Sequence, residues 1–244
     1  MNHLPIFRLR IAYAKQGRGR YLSHLEVQRS LTRLIRRTRL PFAVSQGFNP
    51  HLRLATGPAL SVGVAGAREY CDLTLTRYVK PLDALRQLKA VETEFLPVLD
   101  VGYVYDKEAS LNAAITLQEI CVTIESPPDG LTPEAVQAGL AALRSRDTLE
   151  VEHKKGTTKV FDSATHVPKD VTVVQKGSAL QMLLCLRISP TGSLRPDALL
   201  TALMRETGFP TLTGGHGGGG GSRIELERTN LFIEDEQGNR RLPL

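Results

Sequence analysis

The amino-acid sequence predicts an α+β protein with two ferredoxin-like halves in tandem, each with the element order βαββαβ and a mainly antiparallel sheet. Three observations support this prediction. The 244 residues suffice for two small domains. Apolar and polar residues alternate in several segments, and the order of strand-like and helix-like segments repeats in the second half. A doubly wound parallel sheet is the competing fold, but strands covered on both faces would not need this alternation.

The first half, residues 1–106, begins with a strand and an arginine-rich helix. The segment IFRLRIAY, residues 6–13, has apolar side chains at alternate positions, which predicts one buried and one solvated face. Ser23 and Glu26 have the spacing of a capping box, which begins a helix that continues to about Thr38. The half is completed by a short strand at PFAVS, a strand at REYCDLTLT, a helix at PLDALRQLKAV and a strand at PVLDVGYV.

The second half, residues 113–244, follows a junction near residues 106–112. Its predicted elements are a strand at ITLQEICVTI, a helix at 132–144, a strand near LEVEHKK, an irregular stretch at 156–170, a short strand at VTVV, a strand at ALQMLLCLRI, a helix at RPDALLTALMRE and a strand at RIELERTNLFI. The glycine-rich run at 214–221 lacks the lysine of a P-loop and does not join a strand to a helix. We therefore expect this run to be a flexible connector.

Positive charge is concentrated near the start of the chain. Residues 1–53 contain eleven lysines and arginines against one acid, Glu26, whereas the other 191 residues contain twenty basic and twenty-four acidic residues. The corresponding net charges are +10 and −4. A local excess of this kind attracts phosphate-rich partners.

Several classes of protein are disfavoured. The first dozen residues carry Arg8 and Arg10 and lack the apolar core of a signal peptide, and no apolar run approaches the ~18 residues that span a bilayer, so we expect a cytoplasmic protein. The three cysteines are too widely spaced for a zinc site or a disulfide framework and are expected to be buried: Cys71, Cys121 and Cys185. Standard catalytic motifs are absent, so no catalytic residue, metal or cofactor is predicted.

One face of the predicted helix carries four arginines: Arg29, Arg33, Arg36 and Arg37. Together with Arg18 and Arg20 in the preceding turn, these guanidiniums can fork onto phosphate oxygens, and the helix N-terminus adds its backbone amides. The alternative is an ordinary solvated face, but such faces usually mix both signs of charge. The asymmetry favours a polyanion such as RNA.

The segment SQGFNPH, residues 45–51, has the composition of a rigid polar loop. Gly47 permits an unusual backbone conformation, Asn49 precedes a proline in a turn, and His51 supplies a ring that titrates near neutral pH. We expect the loop to fold back against the N-terminal end of the arginine helix and form a shallow pocket, flanked by Arg20, that is lined by Ser23, His24, Gln46, Asn49 and His51. The alternatives are a plain strand connection and a structural role for each histidine.

Residues 21–64 contain three motifs that resemble the radical-SAM-linked protein family, a domain of unknown function. Tyr21–Leu25 match its Y-L-S-H-L, Ser45–His51 match its S-[EQ]-G-F-N-P-H, and Gly57–Leu60 with Gly63 match its G-P-A-L-P-L-G. Weaker resemblance continues through GSLRPDALLTAL and ERTNLFI. The departures are Glu26 for Asp, Leu52 for a frequent Pro, Ser61 for Pro, and Asn230 for an acidic residue.

The resemblance implies association with cobalamin-binding radical SAM enzymes of bacteria. The chain itself is not predicted to be such an enzyme, because a radical SAM cluster needs three closely spaced cysteines. The leading hypothesis is a non-catalytic accessory protein that binds a phosphate-bearing partner, RNA, and presents it to the enzyme. The predicted binding residues are Arg18, Arg20, Tyr21, Ser23, His24, Arg29, Arg33, Arg36, Arg37, Gln46, Gly47, Asn49 and His51.

Two other functions stay open. If His24 and His51 meet, they can act as acid and base in a metal-independent endoribonuclease, as the tandem ferredoxin-like halves of CRISPR repeat-processing nucleases suggest by analogy. Alternatively, the chain is a protein-protein adaptor whose arginines meet an acidic surface of the enzyme.

Overall fold

The computed structural model of the chain describes residues 7–105, 108–153, 156–189, 193–210 and 222–244. Ile6 and the glycine-rich run 214–221 lie outside these residues. Helices combine with mainly antiparallel strands, which confirms the predicted α+β class. The chain forms two units, one of Met1–Ile115 with Arg228–Leu244 and one of Thr116–Glu227. This division differs from the predicted boundary because the last residues belong to the first unit.

The first unit contains an antiparallel sheet. Its elements are β1 (Phe7–Lys15), α1 (His24–Arg36), β2 (Leu54–Thr56), β3 (Ala65–Leu75), α2 (Pro81–Lys89), β4 (Val98–Val104) and α3 (Leu111–Ala114). The strand order is β4-β1-β3-β2, and every neighbouring pair is antiparallel. A short 3-10 helix, Gly17–Tyr21, connects β1 to α1.

The strand predicted at PFAVS is reduced to isolated bridges. Phe42 pairs with Leu75 and Val44 with Leu52, whereas the strand beside β3 is β2. The amide of Arg53 donates to the Ala43 carbonyl at 2.9 Å, so the chain between these residues leaves the sheet as a hairpin. Because the hairpin displaces the chain, the predicted strand cannot continue along β3.

The predicted helix α1 begins at the expected capping box. The Ser23 hydroxyl accepts from the Glu26 amide, and the Glu26 carboxylate accepts from the Ser23 amide at 2.8 Å. The buried face of the helix joins the core of the first unit through Val27, Leu31, Leu34 and Ile35. Leu9, Ile11 and Tyr13 of β1 supply the sheet side of this core. The alternation in β1 therefore predicted this buried face correctly.

The prediction of a solvated second face for β1 was wrong. Arg10 and Ala12 are both 0% exposed. The C-terminal residues cover this face: the Arg10 guanidinium donates to the Pro243 carbonyl at 2.8 Å, and Leu244 packs against Gly102, which pairs with Arg10 in the sheet. A covering segment more than two hundred residues away leaves no signal in the alternation of β1.

The second unit has its own hydrophobic core. Its elements are β5 (Leu117–Glu125), α4 (Pro133–Arg144), β6 (Thr148–His153), β7 (Thr157–Asp162), α5 (Ser163–His166), β8 (Val171–Lys176), β9 (Ala179–Arg187) and α6 (Pro196–Thr207). The strands β5, β9 and β8 are adjacent in that order and antiparallel. Its core contains residues from both sheet and helices, among them Ile120, Leu140, Leu184 and Leu203.

The stretch 156–170 is not irregular as predicted. The strand predicted near LEVEHKK is β6, which pairs with β7 in a separate two-stranded sheet. The short strand expected at VTVV is the longer β8, which pairs with β9. Because most of β7 is exposed and Phe161 is its only buried residue, its sequence lacks the apolar alternation of a buried strand.

The last strands are β10 (Arg223–Glu234) and β11 (Arg240–Arg241), which pair with each other. The first residues of β10 belong to the second unit, and its residues from Arg228 onward belong to the first, where β10 lies beside β3. No helix in the described residues is long and apolar enough to cross a membrane.

Candidate nucleic-acid interface

The arginine face of α1 is exposed. It consists of Arg29, Arg33, Arg36 and Arg37, whose side chains all reach solvent. Among the described residues, none of the four has an acidic partner within 4 Å. The Glu26 carboxylate accepts hydrogen bonds from both the Ser23 hydroxyl and the Ser23 amide, and its charge also interacts with Arg29. These hydrogen bonds lower the pKa of Glu26 and keep it ionised in the cap.

The turn before α1 presents further cations. Arg18 and Tyr21 are exposed, and Arg20 is half-buried. The carbonyl of Arg20 accepts a hydrogen bond from the Gly63 amide at 2.8 Å. The turn directly before the first motif therefore contacts the third motif, although about forty residues separate them in the chain.

A buried polar cluster lies at the N-terminal end of α1, on the helix-covered side of the sheet. It consists of four buried residues and of two half-buried ones, His24 and Gln28; the buried ones are Lys15, Thr56, Glu69 and Arg228. The Thr56 hydroxyl lies 3.3 Å from His24 Nε2 and accepts from Gln28 Nε2 at 2.9 Å. His24 and Gln28 are one helical turn apart on the same face. This cluster fixes the start of α1 on β2.

An ion pair between Arg228 and Glu69 forms the centre of the cluster. Arg228 is 1% and Glu69 4% exposed, and the guanidinium donates to both carboxylate oxygens, with Nε at 2.7 Å from Oε1. Arg228 also donates to the Pro58 carbonyl at 2.8 Å. The bidentate geometry and this additional acceptor offset the desolvation of the two charges. The third motif is thus held in place by a residue of ERTNLFI.

Lys15 makes the cluster more positive. Its side chain is buried, and its ammonium donates a long hydrogen bond, 3.4 Å, to the Ser61 carbonyl. Burial lowers the pKa of Lys15 to about 8, while the Glu69 carboxylate opposes this shift. Burial, followed by the charge of Arg228, also lowers the pKa of His24. His24 is therefore neutral near pH 7 and can donate or accept a hydrogen bond without adding charge.

The SQGFNPH loop closes on itself at the tip of the exposed hairpin. The Ser45 amide donates to the His51 carbonyl at 2.7 Å, and the His51 amide donates to the Ser45 hydroxyl at 2.9 Å. Gly47 has a φ of +133°, which favours glycine there, and the neighbouring Phe48 side chain is fully exposed. Gln46 and Asn49 are exposed as well.

No hydrogen bond among the described residues joins this loop to His24. His24 contacts Thr56, which lies opposite Cys71 in the sheet, whereas the base of the hairpin lies at Thr74, three residues further along β3. This interval corresponds to about 10 Å along a strand. The shared pocket of His24 and His51 stays a prediction, and these contacts do not support it.

Five of the six residues of the cluster were missed as site residues: Lys15, Gln28, Thr56, Glu69 and Arg228. Lys15 follows a bulge in β1 that alters the register of the strand. Glu69 lies in the segment REYCDLTLT, which was predicted to be a strand but not to contain a site residue. Arg228 lies in ERTNLFI, which resembled the family weakly, and this resemblance was the one signal available. Ionic partners 159 residues apart cannot be paired from local patterns.

The described residues contain no group of three His, Cys, Asp or Glu side chains that could hold a metal ion. Cys71 is buried as expected, whereas Cys121 and Cys185 are half-buried. Burial raises the pKa of Cys71 far above the usual range of a thiol, so this side chain is not a reactive nucleophile.

These features define a mixed α+β protein with an exposed basic helix and a buried polar anchor. The chain belongs to the family described as "Uncharacterized protein conserved in bacteria (DUF2344)", which matches residues 8–196. This membership agrees with the predicted domain of unknown function. The matched region includes all three motifs.

No protein with curated information matches the chain. Two solved structures are distantly similar to the chain. One is a chain of a Cbf5-Nop10-Gar1 complex, with 11% sequence identity and a TM-score of 0.47. The alignment covers 93% of the present protein but 50% of the chain from the complex. The other is an unknown protein from Galdieria sulphuraria, with 11% sequence identity and a TM-score of 0.26. The alignment covers 92% of the present protein and 99% of the Galdieria chain. At these TM-scores, neither structure bears on the function.

Proposed function

We propose that this protein is a non-catalytic RNA-binding accessory protein and that the arginine face of α1 is its main RNA contact. The exposed charge of a single sign on this face carries the proposal. Four guanidiniums extend over about 12 Å of helix, since each residue advances the helix by 1.5 Å. Each can donate two parallel hydrogen bonds to a phosphate.

The anchoring of α1 supports this proposal. The capping box, the Thr56 contacts and the core residues hold the helix in place on the sheet. A rigid helix presents its charges at fixed positions, so that little conformational entropy is lost when RNA binds. Arg18 and Tyr21 lie in the turn before α1 and extend the contact surface towards the helix N-terminus.

The predicted ferredoxin-like architecture is also part of this proposal. In the first unit, β1, α1, β2, β3, α2 and β4 follow one another in the order βαββαβ with antiparallel neighbours. In the second half, β5, α4, β8, β9, α6 and β10 follow the same order. The hairpin of β6 and β7, together with α5, is then an insertion between α4 and β8. Two ferredoxin-like domains, the second with an insertion, account for both sets of elements.

The proposed partner is a cobalamin-binding radical SAM enzyme of bacteria. The three motifs support this partnership through the family resemblance, and the chain would present bound RNA to the enzyme. The partnership is tested by size-exclusion chromatography of the chain together with a radical SAM protein whose gene lies beside a gene of this family. A complex that forms only in the presence of RNA is the expected result, and separate elution under all conditions would contradict the partnership.

Direct RNA binding is tested by fluorescence anisotropy with a labelled RNA stem-loop. Four phosphate contacts predict that affinity falls roughly 50- to 150-fold between 50 and 200 mM salt. Absence of binding at 50 mM salt would refute the RNA proposal. The adaptor hypothesis, in which the arginines meet an acidic protein, would then be favoured.

A further inference from the structure

A second basic surface lies at the other end of α1, in a groove that none of the sequence motifs includes. One wall is the segment Arg39–Pro41, and the other is formed by residues 77–80 and the first turns of α2. The groove has a volume of about 760 Å³ and is open to solvent. We call it the Tyr78 groove after the aromatic side chain in its wall.

The charge of the Tyr78 groove is strongly positive. Its four cations are Arg39, Arg77, Lys80 and Arg86, and all four are exposed. Asp83 is the acid in its lining, and it lies 3.6 Å from Arg86. Within the described part of the chain, the other three cations have no acidic partner within 4 Å. Polyanionic ligands are therefore favoured over neutral or cationic ones.

The aromatic side chain in the wall is held in a fixed orientation. The Tyr78 ring stacks on Tyr103, with 5.1 Å between the centroids and 28° between the planes, and Phe7 contacts both rings edge-on. The Tyr103 hydroxyl donates to the Val79 carbonyl at 2.9 Å and accepts from the Val79 amide at 3.0 Å. Even so, the Tyr78 side chain is 55% exposed. The stacked pair thus leaves aromatic surface available in the groove.

Hydrogen bonds join the two walls. The Pro41 carbonyl accepts from the Thr76 amide at 2.8 Å and from the Thr76 hydroxyl at 3.1 Å. The Arg39 amide donates to the Gln87 side-chain carbonyl at 3.1 Å. Because these bonds lie within one unit, the groove exists before any ligand binds.

We propose that the Tyr78 groove binds a single-stranded segment of RNA, with the four cations on its phosphates and one base stacked on Tyr78. This inference rests on the proposed RNA-binding function and specifies the kind of RNA. Cationic grooves with aromatic platforms are typical of single-strand binding, because unpaired bases expose their faces for stacking. The bases of a duplex are already stacked on each other and cannot reach Tyr78.

The probe is a fluorescein-labelled hexauridylate, and binding is measured by anisotropy at low salt. Tyr78→Ala should weaken its binding roughly 5- to 150-fold, the range given by the loss of one base-aromatic stack. Tyr78→Phe should bind like the wild type, because the ring rather than the hydroxyl carries the contact. The matched control is Tyr105→Ala, since Tyr105 is 84% exposed and lies outside the groove, and it should leave the affinity unchanged.

A 12-base-pair RNA duplex, measured alongside, separates the two proposals. If the wild type binds neither RNA, both proposals fail. If it binds the duplex but not hexauridylate, or if Tyr78→Ala binds hexauridylate as tightly as Tyr105→Ala does, the groove inference alone fails. Binding of a glutamate-rich peptide in preference to hexauridylate would also overturn it, and would indicate an acidic protein segment as the occupant.

Discussion

The cations of β1 and those of α1 come from the same basic stretch of sequence but have opposite fates. Arg10 and Lys15 on β1 are buried, and β3 supplies acids near both: Asp72 binds Arg10 at 2.7 Å, and Glu69 lies close to Lys15. The arginine face of α1 is exposed and forms no ion pair within 4 Å among the described residues. Net charge along a sequence therefore does not measure surface charge.

The difference assigns separate roles to the two sets. Paired and buried cations connect β1 to β3 and to the C-terminal residues, so their removal should affect stability. Exposed cations contribute little to stability but remain available to a partner. Substitutions on the two elements should consequently have effects of different kinds as well as of different sizes.

The largest loss of stability is expected for Asp72→Asn. This change removes the bidentate carboxylate partner of the fully buried Arg10, which keeps the more distant Glu108 carboxylate at 4.0 Å. It also removes the ion pair that Asp72 makes with Arg8 at 3.7 Å. Breaking a buried pair from one side costs about 3–5 kcal/mol of unfolding free energy. Urea denaturation monitored by circular dichroism measures the change.

The control for Asp72→Asn is Asp83→Asn, because Asp83 pairs with Arg86 on the surface at 3.6 Å. Its expected loss is below about 1 kcal/mol. Equal losses of unfolding free energy in the two variants would contradict the expectation that buried charge pairs contribute more to stability than exposed ones.

A smaller, pH-dependent effect is expected for Lys15→Met. Because burial lowers the pKa of Lys15 to about 8, the folded state disfavours its charge, by up to about 3 kcal/mol. This destabilisation is fully present below pH 8 and disappears as the pH rises towards the ordinary lysine value of about 10.5. Lys15→Met should therefore raise the unfolding free energy most at pH 7 and least near pH 10.

The difference in unfolding free energy between wild type and Lys15→Met isolates this effect. Tyr13 and Cys71, whose pKa values are raised by burial, titrate in the alkaline range in both proteins and cancel in the difference. A difference that stays constant from pH 7 to pH 10 would show that Lys15 is not desolvated in the folded state.

The smallest effect is expected for Ser23→Ala, which removes the capping box of α1. Loss of an N-cap side chain typically costs about 1 kcal/mol. Ser110→Ala serves as the matched control, because Ser110 occupies the N-cap of α3 without a side-chain hydrogen bond. Thermal unfolding should distinguish the two variants, and identical melting temperatures would contradict the role of the capping box.

Local patterns predicted the features that depend on neighbouring residues. The capping box at Ser23, the buried face of β1 towards α1 and the α+β class all follow from spacing within a few residues. Arg10 and Arg228 could not be interpreted in this way, because their partners lie 62 and 159 residues away. The Tyr78 groove was missed for the same reason, since Arg39 and Arg77 meet only in the folded chain.

The central claim, that the exposed face of α1 rather than overall charge binds RNA, is tested by two quadruple variants. One reverses the arginine face to Glu at 29, 33, 36 and 37, and the other reverses four exposed cations of the second unit: Lys159, Lys169, Lys176 and Arg205. Each variant changes the net charge from +6 to −2, since four reversals remove two charges each. Anisotropy with the RNA stem-loop at 50 mM salt should show at least roughly 100-fold weaker binding for the first variant and less than about 5-fold for the second. Equal losses in the two variants would contradict the claim.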